Sequence, residues 1–142
     1  MRAPKPRNFY VHFAELTTRW MDNDAYGHIN NVVYYSFFDT AVNAHLISCG
    51  CLDIQNSEAI GLVVETGCQY FKPIAFPDVL SAGLRVTKLG ASSVRYEIGI
   101  FLKDDESAAA EGHFVHVYVD RAQGKPVPIP DNVRKVLAAL MQ

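Results

Sequence analysis

Residues 31–48 read NVVYYSFFDTAVNAHLIS and contain neither glycine nor proline. This stretch predicts a long α-helix that ends near Gly50, because glycine readily adopts the left-handed conformation found just beyond helix ends. The helix is apolar on most sides, and so little polar surface is unsuited to open exposure to water. We therefore expect a sheet to wrap around this helix.

Strand-like segments lie on both sides of the predicted helix. Before it, residues 10–20 mix β-branched and aromatic side chains at roughly alternating spacing. After it come four further segments of this kind, at residues 61–71, 79–89, 93–103 and 110–120. Near the end of the chain, Asp131 can cap a short helix that carries an apolar stripe.

The order of these segments predicts an α+β fold in a single domain over residues 1–142. The four later strands can pair through their hairpin connections into an antiparallel sheet, which the first strand joins after the helix crosses one face. We expect a five-stranded antiparallel sheet around a long central helix, followed by a short C-terminal helix. A doubly wound parallel sheet is excluded, because strands and helices do not alternate after Gly61.

Composition narrows the classes of partner and compartment. The 142 residues are 49% hydrophobic and 20% charged with a net charge of −2, a balance that does not favour a nucleic-acid or acidic-membrane partner. Neither a signal segment nor an apolar run long enough to span a membrane is evident, so we expect a cytoplasmic protein. Cys49, Cys51 and Cys68 lack C-x-x-C spacing and are expected to be reduced thiols.

The histidines and glycines do not form known cofactor motifs. His113 and His116 lie three apart in a predicted strand and so point to opposite faces, which prevents them from sharing a metal. His12 and His45 lack a recognisable ligand spacing, and neither a phosphate-binding glycine loop nor a G-x-S-x-G motif is present. We therefore expect no metal and no cofactor.

The remaining chemistry is concentrated in RWMDNDAYGHINN, residues 19–31, immediately before the helix. The first amides of a helix have no intrahelical acceptor and point out of its positive end. A substrate carbonyl placed there could become an oxyanion stabilised by these amides, with a carboxylate nearby as base. Residue types alone favour a structural loop in which Asn30 or Asn31 only caps the helix.

The stretch DNDAYGHINNVVYYSFFD, residues 22–39, resembles the acyl-CoA thioesterases of the 4-hydroxybenzoyl-CoA thioesterase type, which have the hotdog fold. Further similarity lies in YFKPIAFPDVL, residues 70–80, in KLGASSVRYEI, residues 88–98, and in residues 112–137. The form GHINN, residues 27–31, looks like that of a broader group of acyl-CoA thioesterases, so the resemblance does not imply an aromatic acyl group.

This resemblance implies an enzyme that hydrolyses an acyl-CoA to a free acid and CoA without a cofactor. Asp24 would be the catalytic carboxylate, acting as general base on water or as nucleophile on the thioester. The backbone amide of Asn31 would polarise the thioester carbonyl. The resemblance also implies homodimers that pair through sheet edges, with active sites at the subunit interface, and that can assemble further into tetramers.

Several residues near Asp24 keep two interpretations. His28 and Asn30 either contact substrate near the thioester or serve as loop and cap residues, and Tyr34 either lines the pocket or packs in the core. Asp22 rivals Asp24: one of the two is expected to anchor the loop while the other faces substrate. Asp39, inside the apolar helix, is expected to be paired.

Two other functions remain open at the level of sequence. One is a non-catalytic hotdog module that binds an acyl thioester or a protein partner without turnover. The other is a hydratase acting on enoyl thioesters, which would pair an aspartate with a histidine in a different arrangement; the closeness of Asp24 and His28 in sequence keeps this alternative open. Asp24 favours an enzyme over the non-catalytic module.

Overall fold

The computed structural model describes residues 2–142 and confirms the predicted α+β class. A long helix and a short C-terminal helix accompany five strands. In chain order the elements are β1 (His12–Thr17), α1 (Asn31–Ser48), β2 (Ala59–Tyr70), β3 (Val79–Leu89), β4 (Ser93–Leu102), β5 (Ala110–Asp120) and α2 (Asp131–Ala139). Short 3₁₀ turns at Arg7–Phe9 and Trp20–Asp22 flank β1.

The five strands form one antiparallel sheet in the order β1-β3-β4-β5-β2. This order differs in one respect from pairing through successive hairpins: β2 pairs with β5 along its whole length, from Ala59 opposite Asp120 to Tyr70 opposite Ala110. β3 pairs instead with β1 and β4. As a result β1 and β2 are the two edge strands, and the chain between β2 and β3 crosses the end of the sheet.

The core lies between one face of α1 and the concave face of the sheet. The buried side of α1 consists of Tyr34, Phe37, Phe38, Ala41, Val42 and Leu46. The packing is close at Gly112 of β5, where a Cβ would meet the ring of Phe38. The opposite side of α1, including Ser36 and Thr40, is exposed, so the sheet covers one face of the helix and does not enclose it.

Several predicted boundaries move. β1 is shorter than residues 10–20, because Tyr10 and Trp20 lie outside the strand, and β2 begins two residues before Gly61. The predicted cap at Asp131 is wrong: Asp131 is the first helical residue, and Pro130 precedes it without a side-chain cap hydrogen bond. The φ of proline suits the residue before a helix, but its side chain has no polar atom. The helix therefore starts without a side-chain cap.

The β2 edge carries apolar side chains that are open to solvent in a single chain. Leu62, Val63 and Val64 are 46%, 44% and 61% exposed. A register shift between Val63 and Glu65 interrupts the ladder at the same place. Of the helices within residues 2–142, none combines the length and hydropathy of a membrane-spanning segment.

Candidate functional site

The polar segment between β1 and α1, residues 19–31, is called the crossing here, and Asp22 anchors it. Its side chain is 1% exposed and accepts hydrogen bonds from the Arg19 backbone N–H at 2.8 Å and from Arg19 Nη2 at 2.9 Å. The backbone carbonyl of Asp22 accepts from the Asn30 N–H at 2.9 Å. One aspartate of the pair was expected to anchor the loop, and these bonds show that Asp22 does so.

Asp24 shapes the turn that follows and keeps part of its carboxylate available. Its Oδ1 accepts from the Tyr26 N–H at 2.8 Å and, more weakly, from the His28 N–H at 3.4 Å. The Asp24 N–H donates to the His28 carbonyl at 2.8 Å, and Gly27 completes the turn with φ +82°. Of the residues that the structure describes, none donates to Asp24 Oδ2, which leaves this oxygen for a ligand.

The start of α1 is capped by Asn30. Its Oδ1 accepts from the Val32 N–H at 3.2 Å, and its carbonyl accepts from the Val33 N–H at 2.9 Å. Asn30 does not line the cavity described next, so the structure gives it the cap rather than a direct substrate contact. The Asn31 N–H has no acceptor within residues 2–142 and lies at the positive end of the helix.

A cavity of about 430 Å³ opens at this helix end. One wall comes from the crossing and α1, and the other from the end of β2 and the residues after it. The lining residues are Asp24, His28, Ile29, Asn31, Tyr34, Tyr70, Phe71, Lys72 and Pro73. The structure therefore brings together four of the five predicted site residues, all except Asn30.

Tyr34 both packs in the core and lines the cavity. Its side chain is 4% exposed, and its ring meets that of Tyr70 edge to face with centroids 5.0 Å apart. Burial raises the pKa of Tyr34 to about 12, so the phenol stays protonated near neutral pH and can donate a hydrogen bond. The two interpretations of Tyr34 are thus compatible.

The second wall, Tyr70 to Pro73, was not predicted as part of the site. These residues belong to a motif that resembles the thioesterase family, but only the pairing of β2 with β5 brings them beside the start of α1. Lys72 is the cation on this wall, and its Nζ lies 2.7 Å from Asp105 Oδ2. No local sequence pattern could have placed them opposite Asp24.

The two walls are tied together by two hydrogen bonds. The Ile29 N–H donates to the Ile74 carbonyl at 2.8 Å. The Phe76 N–H donates to Asn23 Oδ1 at 3.0 Å. These bonds join the crossing on both sides of Asp24 to the segment between β2 and β3, so the cavity has a fixed frame.

Other polar residues that the sequence singled out lie outside this cavity. Asp39 is exposed on α1, and its Oδ1 accepts from Asn43 Nδ2 at 3.3 Å, so its partner is an amide rather than a cation. His113 and His116 face opposite sides of β5, as their spacing predicts. His113 Nε2 lies 3.0 Å from Glu65 Oε1, whereas His116 is buried at 2% exposure.

Comparison with known proteins assigns the family. A model of the thioesterase-like superfamily matches residues 18–137. The chain belongs to this superfamily. The match covers the polar crossing, both walls of the cavity and strands β2 to β5. The hotdog fold expected from the sequence is therefore confirmed.

Individual proteins of known structure resemble the chain to different degrees. The PA5185 protein of Pseudomonas aeruginosa strain PAO1 is 55% identical, with a TM-score of 0.96 over 99% of this chain and 98% of that one. A 1,4-dihydroxy-2-naphthoyl-CoA thioesterase from Synechocystis is 19% identical, with a TM-score of 0.80 over 89% and 94% of the two chains, and shares the fold.

A plant relative is longer than this chain. The chloroplastic acyl-acyl carrier protein thioesterase ATL3 of Arabidopsis thaliana is 24% identical over 125 residues, which is 87% of this chain and 65% of the plant protein. The chain thus spans about two thirds of the length of that thioesterase-like relative.

Proposed function

We propose that the protein is an acyl-CoA thioesterase of the 4-hydroxybenzoyl-CoA thioesterase type, with Asp24 as its catalytic carboxylate. The observation that carries this proposal is the cavity at the start of α1, which is lined by both Asp24 and Asn31. Asp24 has a carboxylate oxygen, Oδ2, without a donor among the described residues, and the Asn31 N–H has no acceptor among them. Thioester hydrolysis needs this combination of base or nucleophile with an oxyanion donor.

In the proposed reaction the thioester carbonyl oxygen accepts a hydrogen bond from the Asn31 N–H. Asp24 Oδ2 either removes a proton from water, which attacks the carbonyl carbon, or attacks that carbon itself. The first route expels CoA as its thiol and leaves the free acid. In the second route Asp24 displaces CoA as a thiolate, which takes up a proton from solvent, and forms a mixed anhydride with the acyl group. Water then opens the anhydride to the free acid and the restored carboxylate.

The neighbouring residues support binding in different ways. His28 lies on the cavity wall and is exposed, so its ring can contact the polar part of the substrate. Tyr34 offers a protonated phenol and an aromatic face to the acyl group. Asn30 acts indirectly: by capping α1 it holds the Asn31 amide in place.

The exposed β2 edge supports a homodimer as the working form. A long strand with unpaired backbone groups and apolar side chains tends to pair with another chain. Tyr70, at the end of β2, lines the cavity, so a partner on this edge would lie next to the candidate site. Assembly of two such dimers into a tetramer would then use other surfaces.

The test is thiol release from a panel of aliphatic and aromatic acyl-CoAs, with acyl-acyl carrier proteins in parallel because the Arabidopsis relative acts on that carrier. We expect Asp24→Asn to lower kcat by at least about a hundredfold while the protein stays folded. Asp39→Asn is the matched control, since Asp39 is an exposed carboxylate outside the cavity, and should keep parental turnover.

Two outcomes would contradict the proposal. Near-parental turnover in Asp24→Asn would remove Asp24 from the chemistry. Failure of the parent to hydrolyse any thioester on either carrier, while still binding one of them, would favour a non-catalytic binding module. Because Asn31 would act through its backbone, a side-chain substitution there is not a decisive test.

A further inference from the structure

The cavity at the start of α1 contains one deeply buried side-chain donor, the phenol of Tyr34. Among the other polar side chains on its walls, His28 is exposed and Tyr70 is 42% exposed. Lys72 is already paired with Asp105. Tyr34 is only 4% exposed. Because water screens a buried hydrogen bond less than an exposed one, Tyr34 is the strongest side-chain donor that this cavity offers to a bound group.

The Tyr34 hydroxyl is free to meet a ligand. It has no hydrogen-bond partner within residues 2–142, and it is not sealed in the core as the unpartnered hydroxyl of Tyr96 is. The small exposed part of Tyr34 therefore includes its hydroxyl, at the cavity wall. Burial raises the pKa of Tyr34 to about 12, so near neutral pH this hydroxyl holds a proton that it can donate.

Helix geometry brings the Tyr34 side chain toward the Asn31 amide. Tyr34 follows Asn31 by three residues, so the two lie on the same face of α1, one turn apart. Long side chains in a helix lean back toward its N-terminus, and one turn rises by about 5.4 Å, which a tyrosine side chain can span. Both residues line the same cavity. A single acceptor in the cavity can thus receive hydrogen bonds from the phenol and from the amide.

Aromatic contacts hold the Tyr34 ring in place. It meets the ring of Tyr70 edge to face, with centroids 5.0 Å apart and planes inclined by 83°. It also meets the ring of Phe37, with centroids 6.1 Å apart and planes inclined by 69°. Tyr34 is thus fixed between its own helix and the end of β2. A donor that is fixed before substrate binds does not have to reorganise when charge develops, and this property makes an oxyanion donor effective.

We propose that the Tyr34 hydroxyl is a second donor to the oxyanion, beside the Asn31 N–H. This inference rests on the proposed thioesterase function and adds a catalytic residue to it. When water or Asp24 attacks the thioester carbon, an electron pair of the carbonyl bond moves onto the carbonyl oxygen, which accepts hydrogen bonds from both groups. Tyr34 keeps its proton. The carbonyl re-forms as the carbon–sulfur bond breaks and its electron pair leaves with the sulfur.

Tyr34→Phe tests this role, because it removes the hydroxyl and keeps the ring. We expect kcat to fall by about a hundredfold, with KM nearly unchanged, since the donor acts mainly on the transition state. Every acyl thioester has this carbonyl, so the loss should be the same for aliphatic and aromatic acyl groups. Tyr118→Phe is the matched control. Tyr118 is also 4% exposed and burial also raises its pKa to about 12, but it lies outside the cavity, so this variant should keep the parental kcat.

An infrared measurement tests the hydrogen bond without turnover. An acyl-CoA that is isotope-labelled at its carbonyl carbon is bound to Asp24→Asn, and then to the same variant with Tyr34→Phe added. We expect the carbonyl stretching frequency to rise in the double variant, because a hydrogen bond from Tyr34 lowers it. This readout tests Tyr34 even if the parent hydrolyses no thioester.

Four results would overturn the role of Tyr34. They are a parental kcat in Tyr34→Phe, an unchanged carbonyl frequency in the double variant, a loss of kcat limited to some acyl groups, and an equal loss in Tyr118→Phe. Circular dichroism of each variant checks that it is folded.

Discussion

At the scale of single residues, the two aspartates of the crossing differ because their surroundings differ. Asp22 is buried and its carboxylate is occupied by the backbone and guanidinium of Arg19. Asp24 is partly exposed and lines the cavity. The oxygens of Asp22 already accept from several donors, whereas Asp24 Oδ2 accepts from none of the described residues, so the contacts themselves distinguish the two residues.

Gly27 allows a prediction that separates stability from activity. It has φ +82° and no atom within 4 Å of a Cβ built on it, so Gly27→Ala introduces backbone strain without a clash. We expect a loss of about 1–2 kcal/mol in the free energy of unfolding, measured by urea denaturation. We also expect lower hydrolysis, because this turn positions Asp24.

Gly124 is the matched control for Gly27. Its φ is +71°, and a Cβ there would also meet nothing within 4 Å, but it lies in the turn after β5. Gly124→Ala should lose a similar amount of stability and keep its specific activity. Equal activity losses in the two variants would mean that the turn at Gly27 has no special relation to the site.

The sequence could predict the residues of the crossing but not the opposite wall of the cavity. Asp24, His28 and Asn31 are close along the chain, so local reasoning about a helix start and a family motif was enough to select them. Tyr70 and Lys72 are about forty residues away, and their place depends on strand pairing. The choice between Asp22 and Asp24 rested on resemblance, and burial now supplies a physical reason for it.

At the scale of elements, periodicity predicted α1 and the later strands well, because each has a strong local pattern. It did not predict that β2 pairs with β5 rather than with β3, since local alternation describes the faces of a strand but not its neighbour. Two prolines, Pro73 and Pro77, lie in the connection between β2 and β3. This connection is not a tight hairpin, and its first residues instead form part of the cavity wall.

The β2 edge gives a prediction about assembly. Leu62→Lys combined with Val64→Lys places two charges on this edge, and charged side chains on an edge oppose pairing with another chain. We expect the parent to elute as a dimer or larger species and the double variant to shift toward monomer in size-exclusion chromatography with light scattering.

Ile54→Lys is the control for the β2 variant. Ile54 is 69% exposed but lies in the turn before β2, so a charge there should not change the assembly. A double Lys variant of unchanged mass would show that chains do not associate through β2. A monomeric variant with lower turnover would support a site that is completed near the interface.

At the scale of the whole molecule, buried histidine should make stability depend on pH. His116 is 2% exposed, and neither of its ring nitrogens has a partner within residues 2–142. Burial lowers its pKa, although the nearby Asp39 acts in the opposite direction. The unfolded chain, with a histidine pKa of about 6.5, therefore binds more protons than the folded chain at mildly acidic pH.

The sign of this effect follows from that difference. The free energy of unfolding should be highest above about pH 6.5 and should fall as the pH decreases below it. We expect urea denaturation between about pH 7.5 and about pH 5.5 to show this loss, and His116→Gln to reduce its slope. His113→Gln, which removes a partly exposed histidine from the opposite face of β5, is the matched control. An identical slope in His116→Gln would contradict this origin.

The hydrogen bonds from Ile29 to Ile74 and from Phe76 to Asn23 also have a consequence for motion. Because they join the crossing to the segment after β2, neither segment can swing outward alone without breaking them. Amide protons on the two sides should therefore exchange with deuterated water at similar rates, through one shared opening event. Access to the cavity would then depend on a joint opening motion of the crossing and the segment after β2, rather than on a separate lid.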